Sequence, residues 1–495
     1  MRNYLSMPIG LLTCMALPAC GADELRTEYA ARSWRCVHDD FLAGPIDGDL
    51  EEWGGVEEVR VCGDQQGRAA VVWTRCVDRE KLEWDQARNA WIVRGSRAVL
   101  KPGKVPPGFS TGGADEGRRL PDEEDLFKPG QYLGGAVLGP NGMVSCAFLP
   151  HFGPTSGFRG EMLGALAAAD GRWWLPLALW GTQPSAGDRD ATHGLAMASF
   201  DVDGWQRPRM VIPQELPQFG GVWVFKSGAG ARLFWRDFYN ERWDLPDFMG
   251  GIQRERIRYA PCSDASVGKM RTVYRRPNFP RWVGERDHQL LQIASERYDL
   301  LLRRDVSPKE RALDPDELIH VADLLGKRRQ EVRRVGVIET TSRFVALPTG
   351  EEAIEVVCLE SPFDRGSGRE TCTRLLTFHY ERGRWSPKRM YPHFDNCDET
   401  SLAAAVLKGE DPPQVLAVWR GSGGILTYSV GVGGRWSRPQ ATPLIIGSPN
   451  WLVSHGGRCT LVSRQRGNLF WCQLTVEPDA VETVAPTSGD NRDEE

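Results

Sequence analysis

A short unit recurs along the chain: a turn, then a tryptophan, then a proline two or three residues later. In such a unit glycine forms the turn of a hairpin and tryptophan fills the space against the next sheet. Proline ends an outer strand. It is tolerated there because the N–H that proline lacks would have no hydrogen-bond acceptor at the edge of a sheet. Radial repetition of such hairpins builds a β-propeller, and the separation of about 50 residues from Trp385 to Trp436 matches one blade. The copies are Gly171-Arg-Trp173-Trp-Leu-Pro176, Gly204-Trp205-Gln-Arg-Pro208, Glu241-Arg-Trp243-Asp-Leu-Pro246, Gly383-Arg-Trp385-Ser-Pro387 and Gly434-Arg-Trp436-Ser-Arg-Pro439, with a weaker relative at Asn89-Ala-Trp91.

Short apolar, β-branched and aromatic runs fill the chain between Gly, Pro, Asp and Asn turns, a pattern typical of strands. The sequence therefore predicts an all-β chain, a single propeller of six or seven four-stranded blades over residues 60–476. Residues 20–59 are expected to be a linker with the first strands, and the polar, acidic residues 477–495 a disordered tail.

Two insertions are expected within the propeller. Residues 101–131 are rich in Pro, Gly and charge and predict a long surface loop. Within residues 308–327, Asp314-Pro315 resembles an N-cap followed by proline at the first helical position, and Gly326 resembles a C-terminal stop. This pattern predicts one short helix.

The first residues have the features of an export signal. Arg2 precedes an apolar stretch, Ile9 to Leu17, that is too short to span a bilayer, and Leu17-Pro18-Ala19-Cys20 resembles a bacterial lipobox. The resemblance implies that residues 1–19 are removed and that Cys20 carries lipid, which would place the protein outside the cytoplasm on a membrane. An ordinary secretory signal, giving a secreted or periplasmic protein, is the alternative.

Cysteine usage agrees with export, because an even number of cysteines remains when Cys14 and Cys20 are set aside. Two local disulfides are predicted, Cys358 with Cys372 across a turn-rich connection, and Cys459 with Cys472. A two- or four-residue loop centred on residues 464–467 would place the second pair directly opposite each other. No C-x-x-C pair occurs, so disulfides are favoured over a structural metal site. No ligand spacing selects an ion, and the sequence leaves the cofactor unknown.

The charge of the chain is small, with a formal net charge of −5 over 495 residues. Lysine and arginine are dispersed along the sequence, so there is no basic field to attract nucleic acid, and no nucleic-acid partner is expected.

The hairpin repeats resemble those of sialidase-like propellers, whose Asp-box has the form S-x-D-x-G-x-T-W. Ser199-Phe-Asp201-Val-Asp203-Gly204-Trp205 is the nearest copy, and Asp170-Gly171-Arg-Trp173 is a remnant. A sialidase would also need an F-R-I-P motif, but Met210-Val-Ile-Pro213 lacks the arginine. The resemblance therefore implies the architecture and not the reaction.

One set of side chains has the chemistry of a polysaccharide lyase: His151, His193, Tyr239 and Arg236, with Arg242 nearby. A His and Tyr acid/base pair beside an arginine that neutralises a uronate carboxylate is what β-elimination requires. The alternative interpretation is that these are ordinary loop and blade residues. His320 and His379 are expected to be packing or surface residues.

We therefore expect an exported propeller that binds an extracellular ligand at its axial face. A glycan is favoured, because exposed tryptophans stack on sugar rings and the chain has 18 of them, although most should be core. The alternatives are a glycan-active enzyme, either lyase or glycosidase, and a scaffold that binds a surface protein. The lipid on Cys20 would make the membrane a further partner.

Overall fold

The computed structural model describes the following residues: 25–26, 29–30, 34–46, 56–64, 66–76, 82–85, 90–93, 99–100, 131–149, 159–162, 167–169, 171–182, 191–213, 219–227, 230–240, 253–262, 268–275, 285–305, 316–326, 331–339, 343–360, 363–364, 369–370, 373–391, 397–407, 412–455, 457–465 and 468–478. The predicted surface loop 101–131 lies outside this set except for Gln131, as does most of the predicted tail. No helix among these residues has the length and apolar character needed to cross a membrane.

The strands form radial antiparallel sheets, here called blades. Two strands precede them, β1 (Leu25–Arg26) and β2 (Trp34–Pro45). Blade 1 has β3 (Val56–Gly63), β4 (Ala69–Cys76), β8 (Gln131–Gly139) and β9 (Gly142–Leu149), with a small separate sheet of β5 (Leu82–Asp85), β6 (Ala90–Val93) and β7 (Val99–Leu100) between β4 and β8. Blade 2 has β10 (Arg159–Met162), β11 (Ala167–Ala169), β12 (Arg172–Thr182), β13 (Ala191–Asp201) and β14 (Gly204–Pro213). Blade 3 has β15 (Phe219–Ser227), β16 (Gly230–Asn240), β17 (Gln253–Cys262) and β18 (Arg271–Arg275).

The remaining blades repeat the same meander. Blade 4 has β19 (Glu285–Ala294), β20 (Arg297–Asp305), β21 (Asp316–Ala322) and β22 (Glu331–Ile338). Blade 5 has β23 (Arg343–Gly350), β24 (Ala353–Glu360), β27 (Arg374–Glu381), β28 (Arg384–Trp385) and β29 (Arg389–Met390), with the ribbon β25 (Phe363–Asp364) and β26 (Arg369–Glu370). Blade 6 has β30 (Asp398–Leu407), β31 (Gln414–Arg420), β32 (Ile425–Val432), β33 (Arg435–Trp436) and β34 (Gln440–Ile445), and blade 7 has β35 (Asn450–His455), β36 (Arg458–Gln465) and β37 (Asn468–Pro478).

The blades close into a ring, and the predicted all-β propeller is confirmed. The innermost strands contact one another in sequence, from β3 through β11, β15, β19, β23, β30 and β35 back to β3. Within the described part of the chain the ring thus holds seven sheets, at the upper end of the predicted range. The propeller also begins earlier and ends later than residues 60–476, because β3 starts at Val56 and β37 runs to Pro478.

Each blade is buried on both faces, which explains the continuous apolar runs. In β4, Val71 and Trp73 pack towards blade 7, whereas the alternate residues Ala70 and Val72 pack towards blade 2. Since successive side chains of a strand point to opposite faces, a strand between two neighbours must be apolar at almost every position.

The N-terminal residues bind the outer edges of three consecutive blades. β1 pairs in parallel with β29 of blade 5, and the Ala30 N–H donates to the carbonyl of Trp436 in blade 6 at 2.7 Å. β2 then becomes the outer strand of blade 7 by antiparallel pairing with β37. We call β1, Tyr29–Ala30 and β2 the N-terminal strap, and its pairing covers edges that would otherwise be open to other strands.

The predicted helix within residues 308–327 is wrong. Residues 316–322 form β21, a middle strand of blade 4, and 323–326 form the turn that follows it. Leu318, Ile319 and Val321 are all buried, so consecutive positions are covered on both faces of the sheet. Burial between two blades outweighs the capping signals, which contribute only about 1 kcal/mol each.

The recurrent tryptophan connects neighbouring blades. Trp385 follows the turn between the last strands of blade 5 and donates its indole N–H to His320 Nδ1 of blade 4 at 3.2 Å. Trp436 has the same place in blade 6 and donates to Glu355 Oε1 of blade 5 at 3.4 Å. The glycine carbonyls of these turns accept hydrogen bonds from the preceding blade, Gly383 from Arg333 and Gly434 from Arg389. The sequence repeat is therefore a repeated contact between blades.

The predicted Cys459–Cys472 disulfide is wrong in register. The last pair between β36 and β37 is Gln465 with Asn468, so two residues of sequence separate the two strands. The midpoint between β36 and β37 lies one residue beyond the predicted midpoint. Cys459 is therefore opposite Leu474, and Leu461 is opposite Cys472. All three described members of the two predicted pairs, Cys358 among them, are buried free thiols, and Cys372 lies outside the described residues.

The free thiols of the described residues, which include Cys62 and Cys262, should be unreactive in the folded protein. Burial raises the pKa of Cys358 and Cys472 to about 12 and that of Cys62 and Cys262 to about 11, and the thiolate is the nucleophile. We expect no alkylation by iodoacetamide at pH 8 before unfolding and complete alkylation in denaturant, followed residue by residue by peptide mass mapping. Protection that persists in denaturant without reductant would instead indicate disulfides.

Candidate functional site

The two ends of the ring differ in the length of their connections. At one end, consecutive strands of the ring are separated by long stretches of sequence, from Cys76 to Gln131, from Asn240 to Gln253 and from Asp305 to Asp316 within blades, and from Arg275 to Glu285 between blades. At the other end lie tight turns such as 295–296 and 382–383. We call these the long-loop face and the short-turn face. Binding residues on a rigid scaffold are usually carried by loops, so the long-loop face is the candidate functional face.

A distortion of β19 places two polar residues at this face. The pairing of β19 with β20 shifts between Arg286 and Gln289, so Asp287 and His288 lie in a bulge, and Asp287 has a φ of 45°. Aspartate tolerates this left-handed conformation better than most residues. Bulges of this kind re-aim side chains beside binding sites. The distorted strand is held by Gln289, whose amide donates to the Phe344 carbonyl at 2.7 Å and accepts from the Ala346 N–H at 2.9 Å.

Three arginines surround the bulge. Arg236 of blade 3 approaches His288 Nδ1 at 2.7 Å through Nη1. Arg303 of blade 4 has its Nε 3.2 Å from Asp287 Oδ2 and its guanidinium 6.0 Å from the centre of the Phe344 ring. Arg343 opens β23 in blade 5 and donates to the Thr400 carbonyl of blade 6. We call Arg236, Arg303, Arg343, Asp287, His288 and Asp398 the arginine cluster.

The electrostatics of the arginine cluster favour an anion. Burial lowers the pKa of Arg343, and the nearby carboxylates of Asp287 and Asp398 act in the opposite direction. Among the described residues of the cluster, three guanidinium groups lie with two carboxylates, which is a surplus of one positive charge. The Asp287 side chain is 55% exposed, whereas the Arg303 side chain is 5% exposed. The guanidinium is therefore buried, and the carboxylate that pairs with it is accessible to solvent.

The contact between Arg236 and His288 fixes the protonation pattern of the imidazole. A guanidinium can only donate, so Nδ1 of His288 must accept, and the proton of the neutral ring is then on Nε2. His288 accordingly provides an N–H donor beside a guanidinium. This combination can bind a carboxylate or sulfate, because arginine binds such groups through two parallel hydrogen bonds.

The sequence-predicted candidates are partly placed by the structure. Arg236 belongs to the arginine cluster, and Tyr239 lies three residues further along β16, opposite Arg254. His193 lies near the start of β13, opposite Trp180, so its strand end also lies at the long-loop face. The side chains of His193 and Tyr239, and all of His151 and Arg242, lie outside the described residues. A lyase role for this set stays a prediction.

His320 and His379 have structural partners elsewhere. His320 is fully buried and hydrogen-bonded to Asp299 at 3.0 Å. His379 Nδ1 lies 2.8 Å from Glu355 Oε2, which raises the pKa of His379.

The residues missed by sequence reasoning are Asp287, His288, Arg303, Arg343 and Asp398. One signal was available for two of them: Arg343 and Asp398 are charged residues that begin the innermost strands of consecutive blades. Among the described residues, no group of three or more His, Cys, Asp or Glu side chains is arranged to hold a metal ion.

Known proteins resemble this chain in fold alone. No family model and no curated protein matches the sequence. Bombyx mori GH32 β-fructofuranosidase BmSUC1 aligns over 88% of this chain and 93% of its own, with 10% identity and a TM-score of 0.34. The Trypanosoma rangeli sialidase aligns over 90% and 59%, with 8% identity and a TM-score of 0.36. The GH93 α-L-arabinofuranosidase of Fusarium graminearum aligns over 65% and 95%, with 10% identity and a TM-score of 0.37. The chain is thus a distant structural match to sialidase and glycoside hydrolase propellers.

Proposed function

We propose that this protein binds an extracellular acidic glycan, one that carries carboxylate or sulfate groups, at the long-loop face. The observation that supports this is the arginine cluster, in which guanidinium groups from blades 3, 4 and 5 lie together around a strand bulge. Packed arginines whose counter-ions are partly exposed are suited to exchange those counter-ions for a ligand anion. Anionic sugars provide such groups at regular intervals.

Binding to oligouronates should depend on Arg343. A charge-assisted hydrogen bond contributes about 1.5–3 kcal/mol, so Arg343→Ala should weaken the affinity by about ten- to a hundredfold. Calorimetric titration with an oligogalacturonate and with a neutral oligosaccharide of equal length measures the effect. Arg271→Ala is the matched control, because Arg271 is an exposed arginine of blade 3 on the outer strand, two strands away from Arg236. Equal affinity for the neutral sugar, or no loss with Arg343→Ala, would refute the proposal.

Activity and binding assays with the same two sugars separate the other functional classes. Release of unsaturated uronates by the wild-type protein would favour a lyase, and loss of that activity in His193→Ala and Tyr239→Phe would assign it to the predicted pair. A propeller that serves only as a protein scaffold would bind neither sugar.

A further inference from the structure

The N-terminal strap determines where a membrane anchor would hold the ring. Cys20 precedes Leu25, the first residue of β1, by five residues, and an extended chain of that length spans at most about 18 Å. β1 is paired with β29 on the outer edge of blade 5. A lipid on Cys20, which is the expectation on which this inference rests, would therefore hold the outer edge of blade 5 close to the bilayer.

The strap continues along the outer edge of blade 6. Tyr29 stacks on Tyr391 with ring centres 5.2 Å apart, and Ala30 forms a parallel bridge with Ser437. The outer edges of blades 5 and 6 are thus the part of the ring nearest to the predicted anchor. The long-loop face, which carries the arginine cluster, lies at the ends of these blades and not along their outer edges.

Exposed arginines occur along the same two edges. Arg384 and Arg435 have the same place in the Gly-Arg-Trp units of blades 5 and 6, and both are exposed. Arg438, also exposed, acts electrostatically on the Tyr29 hydroxyl and so lies beside the strap. Each arginine near an anionic membrane surface increases the affinity for that surface about fivefold.

We propose that the outer edges of blades 5 and 6 rest on an anionic phospholipid surface, with the ring standing on its edge. The axis of the propeller then runs along the plane of the membrane, and the long-loop face opens sideways into the surrounding solution. Arg384, Arg435 and Arg438 contact lipid phosphates, and the lipid on Cys20 inserts into the bilayer on the same side of the ring.

Vesicle binding of the unlipidated protein tests the surface without its anchor. The processed chain carrying Cys20→Ser is mixed with vesicles of phosphatidylcholine containing about one third phosphatidylglycerol, and sedimentation gives the affinity. The triple variant Arg384→Gln, Arg435→Gln and Arg438→Gln should bind about a hundredfold more weakly, at about fivefold per arginine. Equal binding to vesicles of phosphatidylcholine alone, or an unchanged triple variant, would overturn the proposal.

A matched triple on another blade controls for net charge. Lys269, Arg271 and Arg275 are exposed residues in or beside the outer strand of blade 3, away from the strap. Their replacement by glutamine should leave vesicle binding within about twofold of the parent. A loss as large as that of the first triple would show that attraction is general and that blades 5 and 6 have no special role.

The orientation is measured with a fluorophore at two exposed positions. Pro387→Cys places the label on the outer edge of blade 5, and Val202→Cys places it at a tight turn of blade 2, across the ring. On anionic vesicles with nitroxide-labelled headgroups, quenching should be strong at position 387 and weak at position 202. Equal quenching, or stronger quenching at position 202, would exclude the edge-on arrangement. Glycan affinity should remain that of the parent in both variants.

Discussion

Replacing Asp299 by alanine should lower the free energy of unfolding by about 3–5 kcal/mol. The Asp299 carboxylate is fully buried and accepts hydrogen bonds from His320 Nε2 at 3.0 Å, from Arg297 at 3.0 and 3.2 Å, and from the Asp323 N–H at 2.9 Å. Its loss would leave the buried Nε2–H of His320 without its acceptor and would remove the buried carboxylate that pairs with the Arg297 guanidinium. Urea unfolding followed by tryptophan fluorescence measures the change.

Glu296→Ala is the matched control for this prediction. Glu296 lies in the adjoining turn of the same blade and pairs with Arg232, but its side chain is 68% exposed. An exposed ion pair contributes at most about 1 kcal/mol, so this variant should unfold close to the wild type. A loss in Glu296→Ala equal to that in Asp299→Ala would contradict the importance of burial.

The contribution of Asp299 should also depend on pH. Burial acts to raise the pKa of this carboxyl, but the hydrogen bonds from His320, Arg297 and the Asp323 N–H outweigh it and hold the pKa below its usual 3.8. A depressed pKa means that the stabilisation is present above the pKa of the unfolded chain and is lost as pH falls through that of the folded protein. The difference between wild type and Asp299→Asn should thus shrink below about pH 4.

Replacing Trp436 by alanine should also lower the free energy of unfolding by about 3–5 kcal/mol. Trp436 is fully buried in the core between blades 5 and 6, together with Trp419 and Leu359. A side-chain carbon at Gly431 would lie 2.6 Å from the indole ring, so the ring fills the space that this glycine leaves. Alanine would leave a cavity between blades 5 and 6 that the two sheets cannot fill.

Trp436→Phe separates the volume of the ring from its hydrogen bond. Phenylalanine keeps most of the volume and loses only the N–H that donates to Glu355, whose carboxylate retains His379 as a partner. We expect a loss of about 1–2 kcal/mol. Urea unfolding of both variants decides the point, and a phenylalanine variant as unstable as the alanine variant would contradict cavity formation as the main cause.

The architecture was predictable because its signals are local. The turn, the tryptophan and the proline lie within six residues, and Trp385 and Trp436 hold equivalent places in adjacent blades. The helix around Leu318 was wrongly predicted because capping residues are also local, whereas the burial that overrides them comes from two neighbouring sheets.

The arginine cluster was largely hidden because its residues meet through the closure of the ring. Arg236, Arg303 and Arg343 come from three blades, and nothing in their local sequence shows that they converge. The bulge at Asp287 depends on how β19 pairs with β20, and sequence spacing alone does not specify that register. Likewise, the position of the loop after Cys459 moved the predicted disulfide partners apart by two residues.

The pairing of β2 with β37 has a consequence for biosynthesis. During synthesis, residues 34–45 are made before the seven blades of the ring, and their partners, residues 468–478, are made after the other described strands. The ring therefore stays open until residues 468–478 have been made. A product that terminates before them keeps β2 but lacks β37, the strand with which β2 pairs. Such fragments expose apolar blade faces and unpaired strand edges, which makes them substrates for quality-control proteases and prone to aggregation.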